Sequence, residues 1–545
     1  MQRNVPRRLA LALAIALQCS APATWAQSPG VAVAAAEAPR LRALVFVASA
    51  QDLQAPAGAN LVDTSRVPLL DAPRFAEGMR MLIGRPLTAT TLAEVRLGVA
   101  AWLQLQGRPF AYVSVPQQDA TGGVVRVLVM EAHVGALRVE GAKQFADATY
   151  TDGLGLVPGE PLDAQALDDG LAWLQRANPY RSAVAVTAPG LRPGATDVLL
   201  RVSERRPWTV RLGADNTGVR STGEARLTAA FTHGNLFGRG HVGSYALTAS
   251  PDFDAYVAHS ASYVVPLPAR TLLTVGVNHA DFRPRLAAPL DMHGTSSALA
   301  VRLEHGLRGA PGLHHSVLAG LDYKRSDSNV LFSSTPVFGV RTAILQAVLG
   351  YELAASDRWG RTALHAAWAL SPGGTVGHNT DADFDASRAG ARARYQVQML
   401  AVERATVLPR GWEWNAQLRL QRANANLLGS EQLAVTGADG VRAFREGALY
   451  ADRGWLLRNE VGPAALAMGD ARVQPFAFVD AAEVGSAHPV AGEPSAVRLG
   501  SAGVGVRLTA AAAFHVRAEL GRPWKASQPL LDEGWRGHIA LSWQF

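Results

Sequence analysis

The sequence predicts a two-part chain: an α+β segment, then from residue 208 to 545 an all-β transmembrane barrel of sixteen antiparallel strands. Three observations carry that prediction. The chain ends with Ile539, Leu541, Trp543 and Phe545 alternating with His538, Ala540, Ser542 and Gln544. Successive side chains on a strand point to opposite faces, so one face is apolar and the other polar. The same two-residue period runs through short segments from Trp208 onward, whereas residues 41–205 carry helical periodicity and repeat themselves.

The N-terminus places the chain outside the cytoplasm. Arg3, Arg7 and Arg8 precede an apolar run from Leu9 to Leu17, and Thr24 and Ala26 stand at the −3 and −1 positions of a cleavage site. Residues 1–26 read as a secretory signal, too short to be a membrane helix with its own stop. Residues 27–40 are a short linker. The single cysteine, Cys19, lies in the signal, and Gln18 stands where a lipoprotein site needs a small residue. The mature chain then has no thiol, hence no disulfide and no cysteine metal ligand. The formal charge of +7 falls to +4 once the signal's three arginines leave. That balance gives no argument for nucleic acid. No apolar run of 18 residues follows the signal, so no helical span is expected. A barrel dilutes each lipid-facing residue with a lumen residue and is compatible with that hydropathy.

The repeat defines the α+β part. Gly84-Arg85-Pro86-Leu87-Thr88-Ala89-Thr90-Thr91-Leu92 matches Gly159-Glu160-Pro161-Leu162-Asp163-Ala164-Gln165-Ala166-Leu167, and Ala101-Trp102-Leu103-Gln104 matches Ala172-Trp173-Leu174-Gln175. A period of about 70 residues suits a small domain rather than a solenoid unit. In the first copy, 41–131, a strand at Leu44–Val47 precedes helices at 71–82 and 91–105 and strands at 112–115 and 124–130. Thr91-x-x-Glu94 reads as a capping box opening the second helix, which Gly107 stops. The second copy, 132–205, runs through a strand at 134–140, helices near 144–154 and 163–176, and strands at 183–187 and 196–202. The order β-α-α-β-β, twice, behind a signal, resembles polypeptide-transport-associated (POTRA) domains.

In the barrel part, Ala225, Leu227, Ala229 and Phe231 oppose Glu224, Arg226, Thr228 and Ala230. Phe514, Val516, Ala518 and Leu520 oppose His515, Arg517, Glu519 and Gly521. Charges facing apolar partners at every second position suit a polar lumen and a lipid face. In a two-sheet sandwich the polar face would be solvent, and single segments do not separate the two. Sixteen such segments run from 208–216 to 536–545, the seventh and eighth at 313–324 and 341–352.

Four motifs carry a family resemblance. Asp215-Asn216-Thr217-Gly218 through Thr222-Gly223 falls at the first barrel hairpin, and Asn235-Leu236-Phe237-Gly238-Arg239-Gly240 at the next turn. Val441-Arg442-Ala443-Phe444-x-Glu446-Gly447 lies in the loop after the eleventh strand, and Phe478-Val479-Asp480 on a later strand. The pattern resembles the two-partner secretion outer-membrane transporters, of the haemolysin-activator and filamentous-haemagglutinin-transporter type, relatives of the barrel-assembly (BamA-type) proteins. The departures are Ala443 in place of glycine, Leu236 in place of proline and His241 in place of aspartate. The family often carries an N-terminal plug helix, for which residues 27–40 leave at most two turns.

Physical reasoning runs beside the resemblance at the signature loop. An external loop stays solvated, yet this one gathers Val441, Arg442 and Phe444, as a segment folded back into the lumen would. Arg442 then needs a carboxylate, and Asp480, in phase with Phe476 and Phe478, is the expected partner. The resemblance implies an outer-membrane pore with its POTRA domains in the periplasm. They would capture a large unfolded exoprotein of haemolysin or adhesin type and pass it through the barrel. It also implies that the terminal strand, with Trp543 and Phe545, is what the barrel-assembly machinery recognises. The expected partners are that exoprotein, outer-membrane lipid and the assembly machinery, with no nucleic acid. A general barrel-assembly factor and a passive porin are the alternatives. Only two POTRA copies speak against the first, and the presence of capture domains against the second.

Other motifs resolve into structure. Gly238-Arg239-Gly240-His241-Val242-Gly243 matches G-x-G-x-x-G, but a strand follows where a dinucleotide site needs a helix. His314 and His315, adjacent on a strand, point to opposite faces and do not chelate from one side. His279-x-Asp281 stays open as an isolated pair. The sequence has no H-E-x-x-H, no G-x-S-x-G and no Walker A motif. No catalytic residue, metal or cofactor is assigned, and the chain is not read as an enzyme.

Overall fold

The structure, a computed structural model, describes residues 39–54, 60–192, 194–310, 312–332, 335–511, 513–527 and 534–545. The expected signal, 1–26, and nearly all of the linker at 27–40 lie outside the described residues.

Two α+β units come first. In one, helices Pro73–Arg80 and Ala89–Leu105 pack on a four-stranded sheet, which runs in the order Val62–Asp63, Ala43–Val47, Val124–Met130, Tyr112–Ser114. Its core joins Leu41, Phe46 and Val127 of the sheet side to Phe75, Val95, Val99 and Leu103 of the helices. Val95, Val99 and Leu103 recur at four-residue spacing and so share one helix face. Each such side chain contributes roughly 1.5–3 kcal/mol when fully buried. In the other unit, Asp147–Leu154 and Ala164–Ala177 pack on a three-stranded sheet in the order His133–Glu140, Ala195–Glu204, Arg181–Pro189.

The duplication has a structural meaning. Gly84 and Gly159 sit at φ +87 and +91, a left-handed region that disfavours any side chain. Gly84 N–H donates to the carbonyl of Leu41, and Gly159 N–H to that of Val134. The motif thus staples the helix entry to the first strand in both units. One expectation needs correction. The second helix is not opened by Thr91 and Glu94: Thr88 caps it, accepting from Thr91 N–H at 3.2 Å, as Asp163 caps its counterpart. Thr91 is buried and donates to the Pro86 carbonyl, and Glu94 pairs with Arg85. Gly107, at φ +75, follows the helix end, as expected from a left-handed stop.

Sixteen antiparallel strands then close into a barrel. The first is Trp208–Asp215 and the last Arg536–Gln544, and they pair from Ala540↔Asp215 to Gln544↔Arg211. Asn216 extends this seam, donating to the Gly537 carbonyl and accepting from Ile539 N–H. The twelfth strand, Arg453–Pro463, continues as Leu466–Met468 against the thirteenth, Ala471–Gly485. The seventh and eighth, Leu313–Phe332 and Thr335–Asp357, run well past the predicted segments and pair along nearly their whole length. Residues 325–332 and 335–340 add length at the end away from the α+β units, and residues 353–357 add a shorter piece at the end facing them. Phe231, Leu321, Leu349, Ile539, Leu541, Trp543 and Phe545 are exposed on the outer face, while His538 is buried inside.

The second α+β unit docks on one mouth of the barrel. Asn178, fully buried, donates from Nδ2 to the carbonyls of Gly234 and Gly240 at 2.5 and 3.1 Å. Gly240 belongs to the G-x-G-x-x-G match, whose first three residues lie in the turn after strand Arg226–Leu236 and whose last three open strand His241–Ala249. Tyr180 lies over Gly234, where a Cβ would sit 2.2 Å from its ring. Trp173, the counterpart of Trp102, packs on Leu272 of the barrel, and Asp169 pairs with Arg270 at 2.9 Å.

Candidate functional site

The segment between the eleventh strand, Trp412–Ala423, and the twelfth folds into the barrel. A two-residue ladder, Leu433–Ala434 with Tyr450–Ala451, pinches its base. Above it Val435, Val441 and Phe444 bury against Leu456, Ala482, Val484, Val497 and Leu499, the inward residues of strands twelve to fourteen. Two glycines shape the tip. Gly437 has φ +108, and a Cβ there would overlap the Glu446 carboxylate, which accepts from Ala438 N–H. Gly447 has φ +66. Ala443 is absent from the positive-φ residues, so alanine in place of the family's glycine is unstrained there.

Arg442, 1% exposed, is the largest fully buried side chain among the described residues. Its Nε and Nη2 donate to Asp480 at 2.8 and 2.6 Å, a two-pronged contact that fixes the guanidinium plane. Nη1 donates to Glu460 at 2.6 Å and to Glu519 at 3.2 Å. The Phe478 ring lies 3.8 Å below the guanidinium carbon, a cation–π contact in a desolvated place. His538 Nε2 contacts the Arg442 carbonyl at 2.7 Å. The loop is thereby tied to strands twelve, thirteen, fifteen and sixteen through one residue. Phe476, Phe478, Asp480, Ala482 and Val484 are all buried on the inward face of the thirteenth strand, while Val479 faces out.

The motif alone did not point to Glu460, Glu519 or His538 as contacts. Their signal was available: each is a polar residue at a lumen-facing phase of its strand. Which of them reaches the loop depends on how the closed sheet curves.

Asp452 was missed altogether. It is fully buried where the loop rejoins the barrel. Arg388 grips its two oxygens at 2.7 and 3.0 Å, and Leu427 N–H, Gln432 Nε2 and Ala487 N–H donate at 3.0–3.1 Å. These donors come from three separate segments at the barrel end away from the α+β units. One carries the short helix Asp381–Ser387, whose Phe384 is buried against Ile344, Tyr395 and Leu427. At the other end, Trp173 and Arg176 of helix Ala164–Ala177 border a cavity of about 660 Å³ with the inward-facing His314, Glu352 and His365.

A profile of the Haemolysin secretion/activation protein ShlB/FhaC/HecB family matches residues 194–508, more than half of the chain. The chain belongs to that family. An outer membrane transporter, CdiB, from Dickeya dadantii is 24% identical over 375 residues, 67% of this chain and 64% of that relative. The chain thus aligns with just under two thirds of that relative's length. The heme/hemopexin transporter protein HuxB of Haemophilus influenzae is 18% identical over 474 residues, 82% of this chain and 80% of its own. Among solved structures, CdiB from Escherichia coli superposes with a TM-score of 0.77 at 19% identity, covering 95% of this chain and 93% of that one. BamA from Haemophilus ducreyi lacking POTRA domains 1–3 reaches 0.53 at 13% identity, covering 94% and 100%. Family and fold place the barrel in the outer membrane, with the α+β units on the periplasmic side. The signature loop and the Asp452 cluster are therefore at or near the external half.

Proposed function

We propose that this protein is the outer-membrane pore of a two-partner secretion pair, passing one large exoprotein of haemolysin or adhesin type to the cell surface. The observation that carries the reading is the docked second α+β unit, whose helix Ala164–Ala177 borders the lumen mouth. A chain held by that unit is delivered straight to the lumen, whereas a passive diffusion pore has no use for such a unit. Residues 41–131 and 132–205 act as two capture domains, which take up the unfolded partner by adding its strand to a sheet edge. The partner crosses extended, because a sixteen-stranded barrel leaves an aqueous channel too narrow for a folded domain. No nucleotide motif is present in the sequence, so folding of the partner outside supplies the direction of travel.

The signature loop Val441, Arg442, Ala443, Phe444, Glu446 and Gly447, held by Phe478 and Asp480, keeps the lumen in its transport-competent arrangement. The terminal strand, with Trp543 and Phe545, is the part the barrel-assembly machinery reads during insertion.

Deleting residues 41–205 tests the reading. The barrel should still insert, and the partner should accumulate in the periplasm. Continued secretion would refute capture by these domains. A general loss of other outer-membrane barrels would favour an assembly factor instead.

A further inference from the structure

The outer wall carries a feature that transport does not use. On the lipid-facing side of the tenth strand, Arg394–Val407, and its neighbours, Val402 faces Leu418 and Leu418 faces Leu457. One step outward, Leu400, Leu420 and Trp455 form the next apolar row. One further step brings Gln398 against Arg422. Gln421 faces Gly454, so the following register position sets Arg422 opposite Arg453. Both arginines are exposed.

Like charges directly opposite across a strand pair are destabilising. No carboxylate relieves this pair among the described residues: Arg453 spends its Nε on the Ser486 carbonyl at 3.1 Å, and the nearby Glu483 is held by Arg498 at 3.2 Å. These side chains line an open groove of about 790 Å³. Leu400, Leu420 and Trp455 lie along it, Glu483 stands opposite Trp455 at one side with its charge taken by Arg498, and two guanidiniums form the upper rim. A guanidinium recognises phosphate through paired N–H donors. Trp is favoured where apolar and polar phases of a membrane meet.

We propose that this groove binds a phosphate-bearing lipid of the outer leaflet, with its phosphate between Arg422 and Arg453 and an acyl chain along Leu400, Leu420 and Trp455. The inference needs the outer-membrane location and not the secretion reading.

The test uses the full-length barrel in detergent with two probes: a bisphosphorylated diglucosamine lipid and the same lipid with its phosphates removed. Retention is read by native mass spectrometry. The wild type should hold the phosphorylated lipid at least about tenfold more tightly. The double variant Arg422→Ala/Arg453→Ala should lose that preference, while Arg410→Ala, at an exposed periplasmic turn, should keep it. Equal retention of the two lipids by the wild type would overturn the proposal without recourse to any variant. So would an undiminished preference in a double variant that keeps its heat-modifiable migration. Full displacement by inorganic phosphate at the lipid's own concentration would mark an adventitious anion site only and also overturn it.

Discussion

Replacing Arg442 with alanine should free the signature loop more than replacing Asp480 with asparagine. The asymmetry follows from how the charges are shared. Glu460 keeps Arg517 at 2.6 Å and Arg507 beside it, and Glu519 keeps Arg517. Asp480 has Arg442 as its one ion-pair partner among the described residues. Without it, only Ser501 Oγ and the residue-442 N–H remain, each at 3.2 Å. The cost in Arg442→Ala therefore concentrates on a fully buried carboxylate and is roughly 3–5 kcal/mol, the range for breaking one partner of a buried pair. At 1.36 kcal/mol per factor of ten, the docked loop loses about two to four powers of ten in population. In Asp480→Asn, Arg442 keeps Glu460 and Glu519, and the loss should be smaller by about one power of ten or more.

The assay exploits the sequence. The only cysteine lies in the expected signal, so a single cysteine at Ala443, which is 2% exposed, has no thiol background in the mature chain. Its rate of modification by a membrane-impermeant maleimide on whole cells reports undocking, and partner secretion is followed in parallel. Labelling should rise steeply in Arg442→Ala and modestly in Asp480→Asn. Equal, slow labelling in the wild type and Arg442→Ala would refute the reasoning, whatever secretion does.

Three further outcomes are expected. Asp452→Asn weakens a carboxylate that gathers three external segments, so single-channel conductance in planar bilayers should increase without any partner present, and an unchanged conductance would remove the latch role. Glu204 accepts from Lys143, Gln144 and Phe145 N–H and from Tyr150 Oη. Burial alone would raise its pKa, but these donors outweigh burial and hold it below the usual 4.5. A depressed folded-state pKa gives stability that is full above the unfolded value and lost as pH falls through the folded one. Exchange of amides 143–145 should thus accelerate only below about pH 4.5, and Glu204→Gln should cost about 1.5–3 kcal/mol at neutral pH. Removing Phe545, whose N–H donates to the Val210 carbonyl at 2.9 Å and whose ring lies 4.7 Å from that of Trp543, should lower the yield of inserted barrel before it lowers transport per inserted molecule; normal insertion would count against the role given to the terminal strand.

Much of the architecture was legible because a barrel strand obeys a two-residue period whatever its neighbours do. A buried-inside, exposed-outside rule therefore marks each strand by itself. Ile539, Leu541 and Trp543 against His538 show it, and so do Phe476, Phe478 and Asp480 against Val479. The duplicated Gly-x-Pro-Leu motif was legible for a similar reason, since its glycine and its cap residue act within one chain turn. The cap itself was misplaced by three residues. Thr91 and Glu94 match the local pattern, but the choice fell to Thr88 once Thr91 was drawn to the Pro86 carbonyl and Glu94 to Arg85.

Sequence alone thus determined the α+β-then-barrel plan and pointed to the inward and outward faces of the strands at 224–231, 514–521 and 538–545 and to the pairing of Arg442 with Asp480. Only the tertiary structure decided which charges meet. Asp452 gathers Arg388, Leu427, Gln432 and Ala487 from segments with no local relation to one another. Arg442 reaches Glu519 because the fifteenth strand curves round to within 3.2 Å of it. Asn178 finds the Gly234 and Gly240 carbonyls only once the second unit is seated on the barrel. Periodicity is a property of the backbone and is written locally, whereas burial of a charge is a property of closure and exists only when the ends of the sheet have met.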